Sequence, residues 1–314
     1  MTETLAQEMI YALAASPGFT KDGICFSAQA SGLYRSDDRG QTWQFAYQSL
    51  NLEQALTTTS VVLSPDFTND KTVFAGAPGG VLRSIDGGQN WFIVMLPTPP
   101  PTVSDIVVSP NFAYDSVVLA GTMEDGVFRS ADGGRTWSRW NFGLLDLNVI
   151  CLAISPNFAE DDTLYAGTES GIFRSTNGGR AWREVEMPFG FEPVLSLALS
   201  PNYGQDGTLF AGSESHGLWR SCDEGESWTR LGESAIDDII NDIVLSPNYP
   251  EQPDILVAMA EALLISRDGG ETWSQWEGGT IAEHGVAGVI APAGLSEGSP
   301  LLVGTVEAGV VRLG

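Results

Sequence analysis

Apolar and polar positions alternate along this chain in short bursts, and the same burst pattern returns seven times. In the stretch 194–232 an apolar run, VLSLALS (194–200), ends at a proline turn. It is followed by TLFAGS (208–213), GLWRS (217–221) and SWTRLG (227–232). Runs of this length, bounded by Gly, Pro and Asp, predict four short strands and leave no segment with a helical period. Each unit opens with the same element. Ser-Pro pairs begin at Ser16, Ser64, Ser109, Ser155, Ser200 and Ser246, and Ala291-Pro292 stands in the seventh place. An aromatic follows in six copies (Phe19, Phe67, Phe112, Phe158, Tyr203, Tyr249) and an aspartate in five (Asp22, Asp70, Asp115, Asp161, Asp206).

A second element, Ser-x-Asp-x-Gly-x-Thr-Trp, occurs six times with small variations. Its tryptophans, Trp43, Trp91, Trp137, Trp182, Trp228 and Trp273, are spaced by 48, 46, 45, 46 and 45 residues. A constant period with four strands per unit predicts an all-β, seven-bladed β-propeller of four-stranded blades. The blades are expected near 8–50, 55–97, 102–143, 148–188, 193–233, 240–279 and 285–314, within a single domain. The last unit stops before any Asp turn, so residues 2–7 are expected to add its fourth strand and close the ring. Three residues before each proline stand Ala14, Val62, Val107, Ala153, Ala198, Val244 and Val289. The next position is mostly larger, as blades converging on an axis require.

In the Asp turns, Asp38, Asp86, Asp132, Asn177, Asp223 and Asp268 are suited to accept backbone N–H groups, and the tryptophan to plug the adjacent apolar layer. Sixfold recurrence makes this a structural staple. The arginine before the serine (Arg35, Arg83, Arg129, Arg174, Arg220) tracks the repeat too, and is replaced at Ile265. These turns lack the Lys-Ser/Thr of a phosphate-binding loop and the spaced oxygen ligands of an EF-hand.

Charge changes the picture of partners. With 40 acidic and 15 basic residues, net −25, the chain repels nucleic acid and anionic membranes, and favours a basic partner or a cation. Cys25, Cys151 and Cys222 are too far apart for a zinc pattern or a disulfide framework. The acidic N-terminus and the lack of a long apolar run lead to the expectation of a cytoplasmic, monomeric protein without membrane insertion.

The turns resemble the Asp-box, or BNR, repeat of sialidases, sortilin-type receptors, xyloglucanases and the photosystem II assembly and stability factors. That resemblance implies the propeller over the whole chain. In size and blade count the chain resembles the assembly factors, although their lumenal targeting sequence is not expected in it. The arginine triad of the sialidases is not found, and one propeller is expected where the xyloglucanases pair two.

Function is expected where the copies differ, on the face of the second-to-third strand loops and the interblade connections. Those loops carry Glu124 with Asp125, Glu169, Glu214, Glu261 and Glu307 in blades three to seven, with His216 among them. Exposed apolar residues are expected beside them in the interblade loops, at 97–101, Phe142, Leu144, Leu145, Met187, Pro188, Phe189 and Phe191. Asp105 and Asp242 occupy matched inner-strand positions, either as polar strand caps or as the carboxylate pair of a glycosidase. Three readings stay open. The first is a non-enzymatic scaffold for a protein or peptide, the second a BNR-class glycoside hydrolase or carbohydrate-binding propeller, and the third a divalent-cation site at the carboxylate arc with no other cofactor.

Overall fold

The computed structural model describes residues 8–97, 99–276, 281 and 283–314. Its strands form seven antiparallel sheets in chain order, six of four strands and a seventh of three. In blade 5 the strands are Val194–Leu199, Leu209–Ser213, Leu218–Ser221 and Thr229–Leu231. Neighbouring inner strands pack side by side around the ring, and Ile10–Ala15 of blade 1 meets Val286–Ile290 of blade 7. The seven-bladed propeller is therefore closed by packing. The expected contribution of residues 2–7 lies outside the described residues.

The hydrophobic core is divided into seven clusters, one at each seam between blades. Each Asp-turn tryptophan lies in the seam with the preceding blade: Trp91 packs with Phe26 and Tyr47, Trp182 with Leu119 and Leu144, Trp43 with Leu302. Gly88 shows why the turn needs glycine. Its φ is +87°, and a Cβ there would come within 2.7 Å of the Phe26 ring of the blade before. Three indoles donate to carbonyls (Trp91 to Gly88, Trp182 to Trp140, Trp273 to Gly270). Trp137 and Trp228 have no partner for theirs among the described residues.

Two kinds of short helical turn depart from the all-strand expectation: a 3-10 turn at Gln48–Leu50, and turns in the Ser-Pro segments. Five of these segments form a single helical turn, such as Phe67–Asp70. In it Ser64 Oγ donates to Asp70 Oδ2 at 2.5 Å while accepting the Asp66 amide, and Asp70 Oδ1 accepts the Thr72 amide. Four residues are too few to print a helical period in sequence, so the turn is carried by these side-chain bonds and the buried aromatic.

Two of the repeated arginines bond the Asp turn of the next blade, while Arg35 pairs with Asp37 of its own turn. Arg174 bonds the Glu224 carbonyl and carboxylate, and Arg220 bonds the Gly269 carbonyl at 2.9 Å. Where Ile265 replaces the arginine, Arg267 takes over and binds Asp254 and the Leu295 carbonyl of blade 7. Among the described residues no helix is long and apolar enough to cross a membrane.

Candidate functional site

The Asp turns are internally satisfied. Asp132 accepts the Ser130 and Thr136 hydroxyls and the amides of Arg135 and Thr136 at 2.6–3.0 Å. Its slight burial would raise its pKa, but these donors outweigh that and hold it at about 2. At Asp268 the Thr272 hydroxyl leads the same set and gives about 2. Asn177 keeps fewer bonds, to Ser175 and to the Ala181 amide. Such carboxylates have little left for a ligand.

On the opposite face the structure breaks the acidic arc into tied and free members. Asp125 pairs with Arg139 at 2.7 Å, and Glu169 accepts from the Asn148 side chain at 2.9 Å. Asn148 also accepts the Glu124 amide, where Glu124 sits at φ +75°. Glu214, Glu261 and Glu307 are exposed and make no side-chain hydrogen bond among the described residues. No three metal-ligating side chains gather among the described residues, so the carboxylates stand singly.

The apolar residues also divide. Leu144 and Met187 turn inward into the seams, contrary to their expected exposure. Phe142 is 80% exposed and bridges to Ala181, beside the Asp turn of blade 4, while the preceding Asn141 bonds the blade 3 loop at Asp125 and Val127. Its outer strand has already swung round toward the next blade, which the loop pattern could not reveal. Phe191, 81% exposed, stays on the variable face next to Ser170 and Gly171 of the blade 4 loop.

His216 is the most constrained member of this face. Its Nδ1 bonds Glu192, a buried carboxylate that also accepts the Ser215 amide and hydroxyl. Burial would raise the Glu192 carboxyl, but the Ser215 donors and His216 together hold it below its ordinary value. The imidazole stacks on Phe189, centroids 5.0 Å apart, and Trp219 flanks the same ring at 5.2 Å. Trp219 donates its indole N–H to the His216 carbonyl. The result is a fixed aromatic platform with the free edge of the imidazole half-exposed.

Glu192 escaped the sequence reading, yet a signal existed. Glu8, Asp146 and Glu192 each stand just before an inner strand, and each accepts from a serine in its own blade's loop: Ser31, Ser170 and Ser215.

Asp105 and Asp242 border the central channel, a cavity of about 260 Å³ near the starts of the inner strands. They do more than cap strands, because each joins two blades. Asp105 accepts the Ile106 amide of its own strand and the Leu152 amide of blade 4, both at 2.8 Å. Asp242 accepts Ile243 and, in blade 7, Val289 at 2.9 and 3.0 Å. Burial raises both; Asp105 reaches about 6, with the charge of Asp242 adding to the rise and the amides opposing it.

Comparison with known proteins agrees with this geometry. The BNR/Asp-box repeat is matched at residues 34–45 and 264–275, and the chain is a propeller built on that repeat. No curated protein matches its sequence. Among solved structures, YCF48 bound to D1 peptide superimposes with TM-score 0.73 at 19% identity, covering 100% of this chain and 95% of that one. YCF48 from Cyanidioschyzon merolae gives 0.69 at 13%, covering 99% and 97%. The GH74 xyloglucanase from Xanthomonas campestris gives 0.76 at 16%, covering 99% of this chain and 53% of that one. The chain thus spans about half the length of that enzyme. At these identities the likeness is one of fold.

Proposed function

We propose that the chain is a non-enzymatic docking propeller that binds an extended, basic segment of a partner protein across the seam of blades 4 and 5. The observation that carries this reading is the platform of Phe189, His216 and Trp219, with Phe191 exposed beside it. A rigid aromatic surface rimmed by the carboxylates of Glu169 and Glu214 suits an apolar anchor flanked by Lys or Arg. The full-length likeness to a propeller solved with a bound peptide supports it. On an array of extended peptides, the intact protein should prefer basic members. Phe191→Ala combined with Glu214→Lys should abolish that preference without lowering the melting temperature. Unchanged selection by the folded double variant would remove the site.

A glycoside hydrolase is the second reading, favoured by one observation. Asp105 is held near 6, as a general acid requires, and Asp242 borders the same cavity. Turnover on a glucan panel that disappears in Asp105→Asn would establish it in place of the scaffold.

A further inference from the structure

The seam between blades 3 and 4 sets two arginines against each other. Elsewhere Arg174 and Arg220 bond the carbonyl at the fourth position of the next Asp turn, on Glu224 and Gly269. Two residues further on, those turns carry an acid, Glu226 and Glu271. Between blades 3 and 4 the corresponding residues are Arg129 and Arg180. Both guanidinium groups lie against one indole, their carbons 4.4 and 5.5 Å from the Trp140 ring centroid. Neither side chain makes a hydrogen bond or an ion pair among the described residues, and Arg129 Nε is buried without a partner. Stacking on the indole offsets part of the charge but leaves the N–H donors unfilled. Burial, and then the charge of Arg180, lower the Arg129 pKa.

The turn they share has also lost its carboxylate. Asn177 stands where the other five Asp turns carry aspartate, and Ala181 where the others have a side chain that donates to it. The neighbouring seam is the internal control. There Arg83 meets the charge of Arg135, but Asp132 of the same turn counters it and Arg135 donates to the Asp132 carbonyl at 2.9 Å. The acids that act on Arg129 through space are Asp115 and Asp162. Neither bonds it, and Asp115 is occupied by the Ser109 hydroxyl and the Val117 amide.

The geometry points to an oxyanion site in this seam, taking a phosphate dianion between Arg129 and Arg180 in a turn that Asn177 leaves uncharged. The free groups on both arginines are donors only, so the ligand must be an acceptor, and two guanidinium charges favour a dianion over a carboxylate. Each planar guanidinium fork matches two oxygens of one anion. Phe142 is exposed beside Ala181 of the same turn and suits an apolar body that carries the phosphate. This site shares no residue with the platform on blades 4 and 5.

Inorganic phosphate and phenyl phosphate are the probes, each titrated into the full chain by calorimetry at about pH 8, where both are dianions. Saturable binding is expected. Equal affinities would mark a site for the free anion, and tighter phenyl phosphate a site for a phosphoryl group on a larger molecule. Arg129→Gln and Arg180→Gln should each weaken binding about tenfold or more, and Arg135→Gln in the neighbouring seam should leave it unchanged. Asn177→Asp returns a carboxylate to the turn. It should also weaken binding about tenfold, with a melting temperature no lower than that of the native chain. Arg180 is exposed in a surface turn, so its variant keeps the test open should Arg129→Gln fail to fold. No saturable binding of either phosphate, an affinity unchanged in Arg180→Gln or Asn177→Asp, or an equal loss in Arg135→Gln would overturn the site.

Discussion

At the Asp turns a carboxylate is served by its own loop, in water, by four donors. In the channel a carboxylate is served by two amides from two different blades, away from bulk water. The first arrangement pulls Asp132 and Asp268 to about 2, and the second pushes Asp105 to about 6. The same residue type thus titrates at opposite ends of the carboxylate range on one scaffold. Local hydrogen bonding stabilises the charge where it is exposed, and desolvation penalises it where it is enclosed. Recurrence in the repeat goes with the first arrangement, and departure from the repeat with the second.

The largest effect that tests this contrast is expected in the frame. Trp182→Ala empties the seam beside Leu119 and Leu144 and should cost about 3–5 kcal/mol in denaturant unfolding. A loss under about 1 kcal/mol would mean the turns do not hold the blades together. Asp132→Ala leaves two amides and two hydroxyls of the turn without their acceptor and should cost about 1–3 kcal/mol, less where water replaces it.

The pH response should split the two carboxylate classes. An unfolded aspartate titrates near ~3.9, so the raised Asp105 keeps a proton that the unfolded chain has released. Its contribution to stability is present below about pH 4 and is lost as the pH rises toward about 6. The turn carboxylates run the other way, contributing above about pH 4 and failing as the pH falls toward about 2. Asp105 faces Asp242 and Cys151 in the channel, with no basic group among its described neighbours to cancel the slope. Unfolding free energies from urea titrations between pH 4 and 7 should fall, and Asp105→Asn should reduce that fall by on the order of 1 kcal/mol, Asp242 supplying a part of the same sign. A slope unchanged in that variant would assign it elsewhere.

The smallest effect belongs to the free members of the arc. Glu261→Ala should change stability by no more than about 0.5 kcal/mol, since the side chain is exposed and makes no bond among the described residues. A larger loss would show that the variable face is structural after all.

Much of this molecule is legible in its sequence. The period of the tryptophans, the Ser-Pro openings and the apolar inner runs determine seven antiparallel blades, because strand alternation and turn chemistry are local and repeat with the chain. The staple role of Asp132 could be read in the same way, since all its donors lie within four residues. What joins one blade to the next could not be read. Arg174 on Glu224, Asp105 on Leu152 and Trp182 on Trp140 are contacts over forty or more residues, set by the twist of each sheet and the closure of the ring. The tertiary structure alone turned Leu144 and Met187 inward, carried Phe142 to the flank, tied Asp125 to Arg139 and placed Glu192 under His216. It also set Asp105 and Asp242 around one cavity. Burial and charge at a residue depend on what the neighbouring blade presents, and that is decided only when the ring closes.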